Sequence, residues 1–433
     1  MQKCPSFSIR SYFVYQVLIG NFSRADWGRL EYYSRKVKSF NFRDTTGGHH
    51  DQVHPLTYFR IAQLQSSALF PSLCHLRYNL RNSATPHILL FVSPLLYSVE
   101  LLNIPTEYED DIVRPFLATL SESSQMLSRI VLRSGRMATD ILENSIIHFK
   151  QLRSLELSQA VLMTDFTLWE VIGKLPFLED FAMNATDPTS HPAYDNTNRS
   201  EGPKYFDALE TLCVTGSFFL IEHLLGFIDS PWLKSIKVSP IMPRIGNDHE
   251  EDLFTPSMTI IASKWSQFLE KFIITSDRHS QAKISKSLML LLDFHEMRTF
   301  DLTGWKMENA DDDVRRLVMS WPKLRTLDLC QIPISLSTLR IIAENCPELR
   351  SVHIALNVSI IPPFDTSSKR LGHHLEVLTM SGAYPVRKAQ EHEIQVSRHL
   401  DLIFSYLKSI KVTNFSCKKI RDLVQLCQDV RRD

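Results

Sequence analysis

The chain has 433 residues, with 48 Lys+Arg against 48 Asp+Glu, 44% hydrophobic and 22% charged. This is a globular composition, and the zero net charge removes the electrostatic footprint of a general nucleic-acid or anionic-membrane binder. Length predicts two to four ordinary domains or one long repeat array, and 55 leucines beside only 13 glycines favour a large regular buried surface with few phosphate-cradling turns.

In chain order, residues 1–24 form an N-terminal segment whose apolar stretch, Tyr12–Gly20, is too short to span a bilayer. Lys3 and Arg10 precede it as in a secretory signal, but Gln16 interrupts it and the cleavage-site chemistry is poor. From residue 25 to 433 one pattern recurs, apolar-x-x-apolar-x-apolar, as in Leu152-Arg153-Ser154-Leu155-Glu156-Leu157 and Leu324-Arg325-Thr326-Leu327-Asp328-Leu329. It occurs fourteen times, beginning at Val37, Leu73, Leu96, Leu127, Leu152, Leu178, Leu209, Leu233, Leu269, Met297, Leu324, Leu349, Leu375 and Leu407. The position after the first apolar residue is charged in eleven copies, and the one before the second is often Ser or Thr. A strand buries alternate residues, so the second and third apolar positions of each copy point inward and their neighbours outward.

Helical pieces separate the copies. Asp165–Lys174 spaces Phe166, Trp169 and Ile172 along one side; Asp311–Ser320 opens with three aspartates, which suit a helix N-terminus; Ser335–Asn345 offers Ser335 and Ser337 as N-caps. Pro176, Pro231, Pro322 and Pro347 stop the helices just before the next strand. Each unit is helix, turn, strand. The predicted fold is α/β, a solenoid of about fourteen irregular units with an inner parallel sheet and outer helices.

These repeats resemble the leucine-rich repeat family and its horseshoe architecture. Asn345-Cys346-Pro347-Glu348-Leu349-Arg350-Ser351-Val352 resembles the cysteine-containing subclass of F-box proteins, and Asp26–Val37 is similar to the stretch before the first repeat of fungal F-box-type repeat proteins. The asparagine ladder of orthodox repeats is absent and unit lengths vary, which points to a divergent intracellular array. The resemblance implies a substrate-recognition subunit of a cullin–RING (SCF-type) ubiquitin ligase, cytoplasmic or nuclear, with a Skp-type adaptor docked at the N-terminal end. The Leu-Pro-x-Glu opening of an F-box is missing before Val37, so residues 1–24 are at most a remnant or link. Ile104-Pro105-Thr106-Glu107 imitates that opening but reads better as part of an outer helix, since Pro115 would interrupt an F-box helix.

No nucleotide-binding, α/β-hydrolase or H-E-x-x-H signature occurs, so no enzyme, cofactor or metal site is expected. The seven scattered cysteines form no C-x-x-C pair and read as free thiols in a reducing compartment. The most ligand-like run is Gly47-Gly48-His49-His50-Asp51 with His54, a Gly-initiated loop; a metal-dependent enzyme built on it is the outside alternative. His373-His374 reads as a turn, the runs Glu107–Asp111 and Asp311–Asp313 as solvated helix starts, and the six tryptophans as core or rim packing.

That leaves the concave, strand-lined face as the binding surface for a protein target, with no nucleic acid and no membrane as partner. Its candidate contacts are Arg77, Glu100, Glu156, Lys237, Thr299, Asp301, Thr303, Thr326, Asp328, His353 and Lys411. Thr299, Asp301, Thr303, Thr326 and Asp328 form an acidic patch suited to a basic segment. The loops Asn184–Phe206, Ser239–Pro256 and Asn357–Gly372 are secondary candidates. The alternative with the same fold is a scaffold or regulator without any ubiquitin role.

Overall fold

The computed structural model describes residues 15–16, 24–42, 52–53, 61, 63, 68–80, 86–104, 109–134, 139–158, 166–185, 205–241, 250–276, 284–358, 361–362, 370–381, 389–412 and 418–432. The chain divides into two compact units, Met1–Phe177 and Leu178–Asp433. In the first, β2 (Ser39–Phe42), β4 (His75–Asn79), β5 (Ser98–Ile104), β6 (Arg129–Ser134) and β7 (Ser154–Ser158) pair in parallel in that order. Two short strands, β1 (Tyr15–Gln16) and β3 (Gln52–Val53), pair separately. The second unit holds β8 (Asp180–Asn184), β9 (Thr211–Gly216), β10 (Ser235–Pro240), β11 (Lys271–Thr275), β12 (Thr299–Thr303), β13 (Thr326–Ser335), β14 (Ser351–Asn357), β15 (Val377–Ser381) and β16 (Ser409–Val412), again parallel and in chain order.

Each of the fourteen copies of the apolar pattern supplies one of these strands, beginning two residues after its first apolar position. The alternation is the cause. In β7, Leu155 and Leu157 are buried while Ser154, Glu156 and Ser158 stay partly exposed. The first apolar residue of the unit, Leu152, is buried in the turn ahead of the strand. The charged residue that follows it has a backbone role: Glu270 O accepts from Arg298 N and Thr299 N at 2.7 and 2.9 Å, and Arg298 O accepts from Arg325 N and Thr326 N at 2.7 and 3.0 Å. Within each compact unit the repeats are thus hydrogen-bonded to one another ahead of the sheet proper, through Cys74, Tyr97 and Ser128 as well as through the charged residues.

The helices Phe166–Gly173, Ala310–Ser320 and Leu336–Asn345 fall where the sequence predicts them. Val314, Leu317 and Val318 form the buried stripe of the second. Ser335 caps the third, its hydroxyl accepting from Thr338 N at 3.3 Å; Ser337 lies inside the helix. Asp311 accepts from both Ser335 N (2.9 Å) and Ser335 Oγ (2.8 Å), so an acidic residue at one helix start fixes the cap of the next. Arg114–Ser123 is a helix with Pro115 in its first turn, as an outer helix permits. Trp169, Trp265, Trp305 and Trp321 are core residues, whereas Trp232 stands on the surface. Among the described residues no helix is long and apolar enough to cross a membrane.

Candidate functional site

The residue between the second and third apolar positions stays at least partly exposed in every strand but β6, where Val131 is buried, and strand pairing sets these residues side by side. In the first unit the row is Asn41, Arg77, Glu100, Val131 and Glu156. In the second it is Ala182, Cys213, Lys237, Ile273, Asp301, Asp328, His353, Thr379 and Lys411. Neighbouring members stand one strand spacing apart, about 4.8 Å.

The charges of the first unit largely satisfy one another. Arg77 Nε and Arg129 Nη2 lie 3.5 and 3.9 Å from the Glu100 carboxylate, and Arg133 Nη2 lies 2.8 Å from Glu156. These pairs are partly exposed, so each contributes little to stability and could be exchanged for a partner's charge.

The second unit differs. Thr299 pairs with Thr326 and Asp301 with Asp328, which gathers the predicted acidic patch in one place. Thr303 donates to Asp301 Oδ1 at 2.6 Å, and Asp328 Oδ2 lies 3.1 Å from His353 Nδ1. Burial raises the Asp301 carboxyl above its ordinary value, with Asp328 reinforcing the shift against the opposing Thr303 hydrogen bond and the charge of Lys237. Lys237 stands two strands away across Ile273, and Lys411 three strands beyond Asp328. Arg77, Glu100 and Glu156 belong to the first unit and are no part of this cluster.

Two members of the cluster escape the sequence pattern, Cys330 and Ser381. Strand β13 is ten residues long, and its register with β14 jumps from Leu329 to Pro333, so Cys330, Gln331 and Ile332 bulge from the ladder. Pro333 is the signal that was there to read, because proline inside a strand marks a bulge. Ser381, on β15, donates to Cys330 O on β13 and to Ile354 O on β14, so the bulge leans across β14. Cys330 Sγ lies 3.9 Å from Thr303 Oγ1, and Cys330 N donates to Asp328 Oδ1 at 3.1 Å. Burial and the two aspartates push the Cys330 thiol up, against the Thr303 hydrogen bond.

The remaining candidates separate cleanly. His373 is buried, with Nε2 2.9 Å from Cys346 O, and His374 stacks on Tyr406, so this pair organises a turn. The segment 1–24 (apart from Tyr15, Gln16 and Arg24), the His49, His50 and His54 loop and the interiors of the three long loops lie outside the described residues. A rim feature also went unread. The residue just before the first apolar position is an exposed apolar one at Leu95, Met126, Phe177, Trp232, Phe268 and Tyr406.

The fold is that of an α/β leucine-rich repeat solenoid. No family and no curated protein matches the chain. Among solved structures it is similar to a Bacteroides fragilis protein at 12% identity and TM-score 0.36, over 60% of this chain and 65% of that one, just under two thirds of its length. An internalin from Listeria monocytogenes aligns at 12% identity and TM-score 0.35, over 82% of this chain and 79% of its own. The leucine-rich repeat-containing protein LegL7 from Legionella pneumophila aligns at 12% identity and TM-score 0.40, over 80% and 97%.

Proposed function

We propose that the chain is a non-catalytic protein-recognition solenoid that holds a target against its outward strand face. One observation carries this reading: a constant apolar ladder beneath the sheet supports a row of unlike side chains above it, one per unit in register, which is the physical design of a recognition surface. The Asp301 and Asp328 stretch, flanked by Thr299, Thr303, Thr326 and His353, then takes a basic segment of the target, while Lys237 and Lys411 set its limits. Arg77, Glu100 and Glu156 contact the target by exchanging their present ion pairs.

In its finer form the proposal makes the chain the substrate-recognition subunit of an SCF-type ubiquitin ligase in the cytoplasm or nucleus. The repeat resemblance around Cys346-Pro347 supports this, and a Skp-type adaptor at the N-terminal end follows from it. The test is a pull-down with the full chain against Asp301→Lys/Asp328→Lys. The charge-reversed chain is expected to lose its target at least tenfold while keeping the adaptor. A target held equally by both removes the acidic patch from the reading. Repeated absence of the adaptor leaves a recognition scaffold without a ubiquitin role.

A further inference from the structure

The bulge in β13 does more than lengthen a strand. It brings a thiol beside a carboxylate and an imidazole that the regular ladder already pairs: the ligand atoms of Asp328, Cys330 and His353 all lie within 4.8 Å of one another. We propose that these three side chains form a site for a divalent cation of the zinc class.

The donor set selects the ion. One oxygen, one sulfur and one nitrogen suit a borderline-soft cation, whereas calcium and magnesium take oxygen alone. The spacing is close to what such an ion imposes. With Zn–N about 2.0 Å and Zn–S about 2.3 Å, tetrahedral neighbours stand about 3.3–3.6 Å apart. The Nδ1–Oδ2 separation of 3.1 Å is already near that figure, and side-chain rotation closes the rest.

His353 presents Nδ1 to the site, the ring nitrogen with a polar neighbour, while its Nε2 is buried without a hydrogen-bond partner. The supports are also in place. Ser381 pins the Cys330 carbonyl, and Thr303, itself held by Asp301, stands beside Cys330 Sγ. Such outer partners orient ligands around a metal. With three protein donors the fourth position is left to water or to a side chain of a partner, so the cation would lie on the face assigned to recognition. The inference does not depend on that reading, because it is tested on the purified chain alone.

The experiment is a titration of the full chain, reduced with a phosphine and freed of metal by chelation, with Co²⁺ as the spectroscopic probe and then Zn²⁺ in competition. Expected is one equivalent bound with a thiolate-to-cobalt charge-transfer band, abolished by Cys330→Ser and weakened at least tenfold by His353→Gln and by Asp328→Asn. Cys213→Ala and His50→Ala are expected to leave it intact. Circular dichroism of each variant distinguishes a lost ligand from a lost fold, and retained binding by a folded Cys330→Ser chain overturns the site. So does the absence of any thiolate band, or cation binding that vanishes with His50→Ala and survives Cys330→Ser.

Discussion

Replacing Lys264 with methionine should be among the most damaging single changes outside the apolar core. Lys264 is near the end of the helix Glu250–Trp265, and its ammonium reaches back to the end of the preceding unit's helix, Phe218–Phe227. There it donates to Gly226 O at 2.8 Å and Ile228 O at 2.7 Å, lies 3.4 Å from Leu225 O, and meets Asp229 Oδ1 at 2.9 Å. The last carbonyls of a helix have no partner of their own and carry the negative end of its dipole. A charge-assisted hydrogen bond contributes about 1.5–3 kcal/mol, and the dipole adds about 0.3–1 kcal/mol. The Asp229 pair is partly exposed and contributes at most about 1 kcal/mol. Methionine keeps the apolar stem and removes only the head, so the expected loss is about 2–4 kcal/mol. Asp229→Asn, which leaves the three carbonyl contacts, should lose under about 1 kcal/mol. Urea unfolding followed by tryptophan fluorescence suits the test, since buried Trp265, Trp305 and Trp321 all belong to the Leu178–Asp433 unit. A Lys264→Met chain within about 0.5 kcal/mol of the parent, a difference within ordinary surface-substitution noise, would refute the clamp. Equal losses for the two variants would place the energy in the ion pair instead.

Gly304 has a φ of +90°, and a Cβ there would meet Ser276 O at 2.6 Å; Gly304→Ala should therefore cost about 2–4 kcal/mol, read as a lowered urea midpoint, and a neutral result would mean that the β11–β12 edge yields freely. Because burial and Asp328 raise the Asp301 carboxyl above its ordinary 3.8, its ionisation opposes folding: the cost is absent below the unfolded value and complete above the folded one. Asp301→Asn should accordingly raise the melting temperature at pH 7, with the gain fading as pH falls towards 4, and a gain that does not vary with pH would contradict this. The Cys346 thiol, buried and directed at Val318 O and Trp321 O (both 3.6 Å), is pushed up to about 12. Iodoacetamide at pH 8 should modify half-buried Cys74, Cys213 and Cys427 in the native chain and spare Cys346, as peptide mapping by mass spectrometry would show; comparable labelling of all four would exclude a closed core at that point.

The strands were legible because the pattern that builds them is short and strict. Three buried positions in six residues leave no freedom of register, so Leu233, Ile236 and Val238 could be assigned to the core before any neighbour was known. Helix starts were legible where capping chemistry marks them, as at Ser335, and obscure where it does not, as in the short turn Ser285–Leu288. The charged position after the first apolar residue was visible as a pattern, but its meaning was structural. Lys234 with Glu210, Arg298 with Glu270, and Arg350 and Lys408 with Glu376 form exposed ion pairs between neighbouring units. The ladder does not alternate strictly: Arg298, Arg325 and Arg350 follow one another, and Arg325 pairs instead with Glu348 in the turn before the next strand.

The outward face was half legible for a related reason. Strict alternation gave the row from Lys237 to Lys411, because that row depends only on where the inward residues sit. Cys330 and Ser381 depend instead on an irregularity. They lie 51 residues apart and meet only because β13 departs from the ladder and leans over β14. Pro333 announces the departure but not its direction, and no periodic argument supplies the direction. The chemistry follows the same division. Asp328 and His353 stand in the regular row, and the third donor atom, the Cys330 thiol, joins them where the repeat breaks its own rule. A β13 with the bulge residues Cys330-Gln331-Ile332 deleted should keep the register of its first half, and with it the Asp301–Asp328 pair. It should lose the thiol and the cation site together.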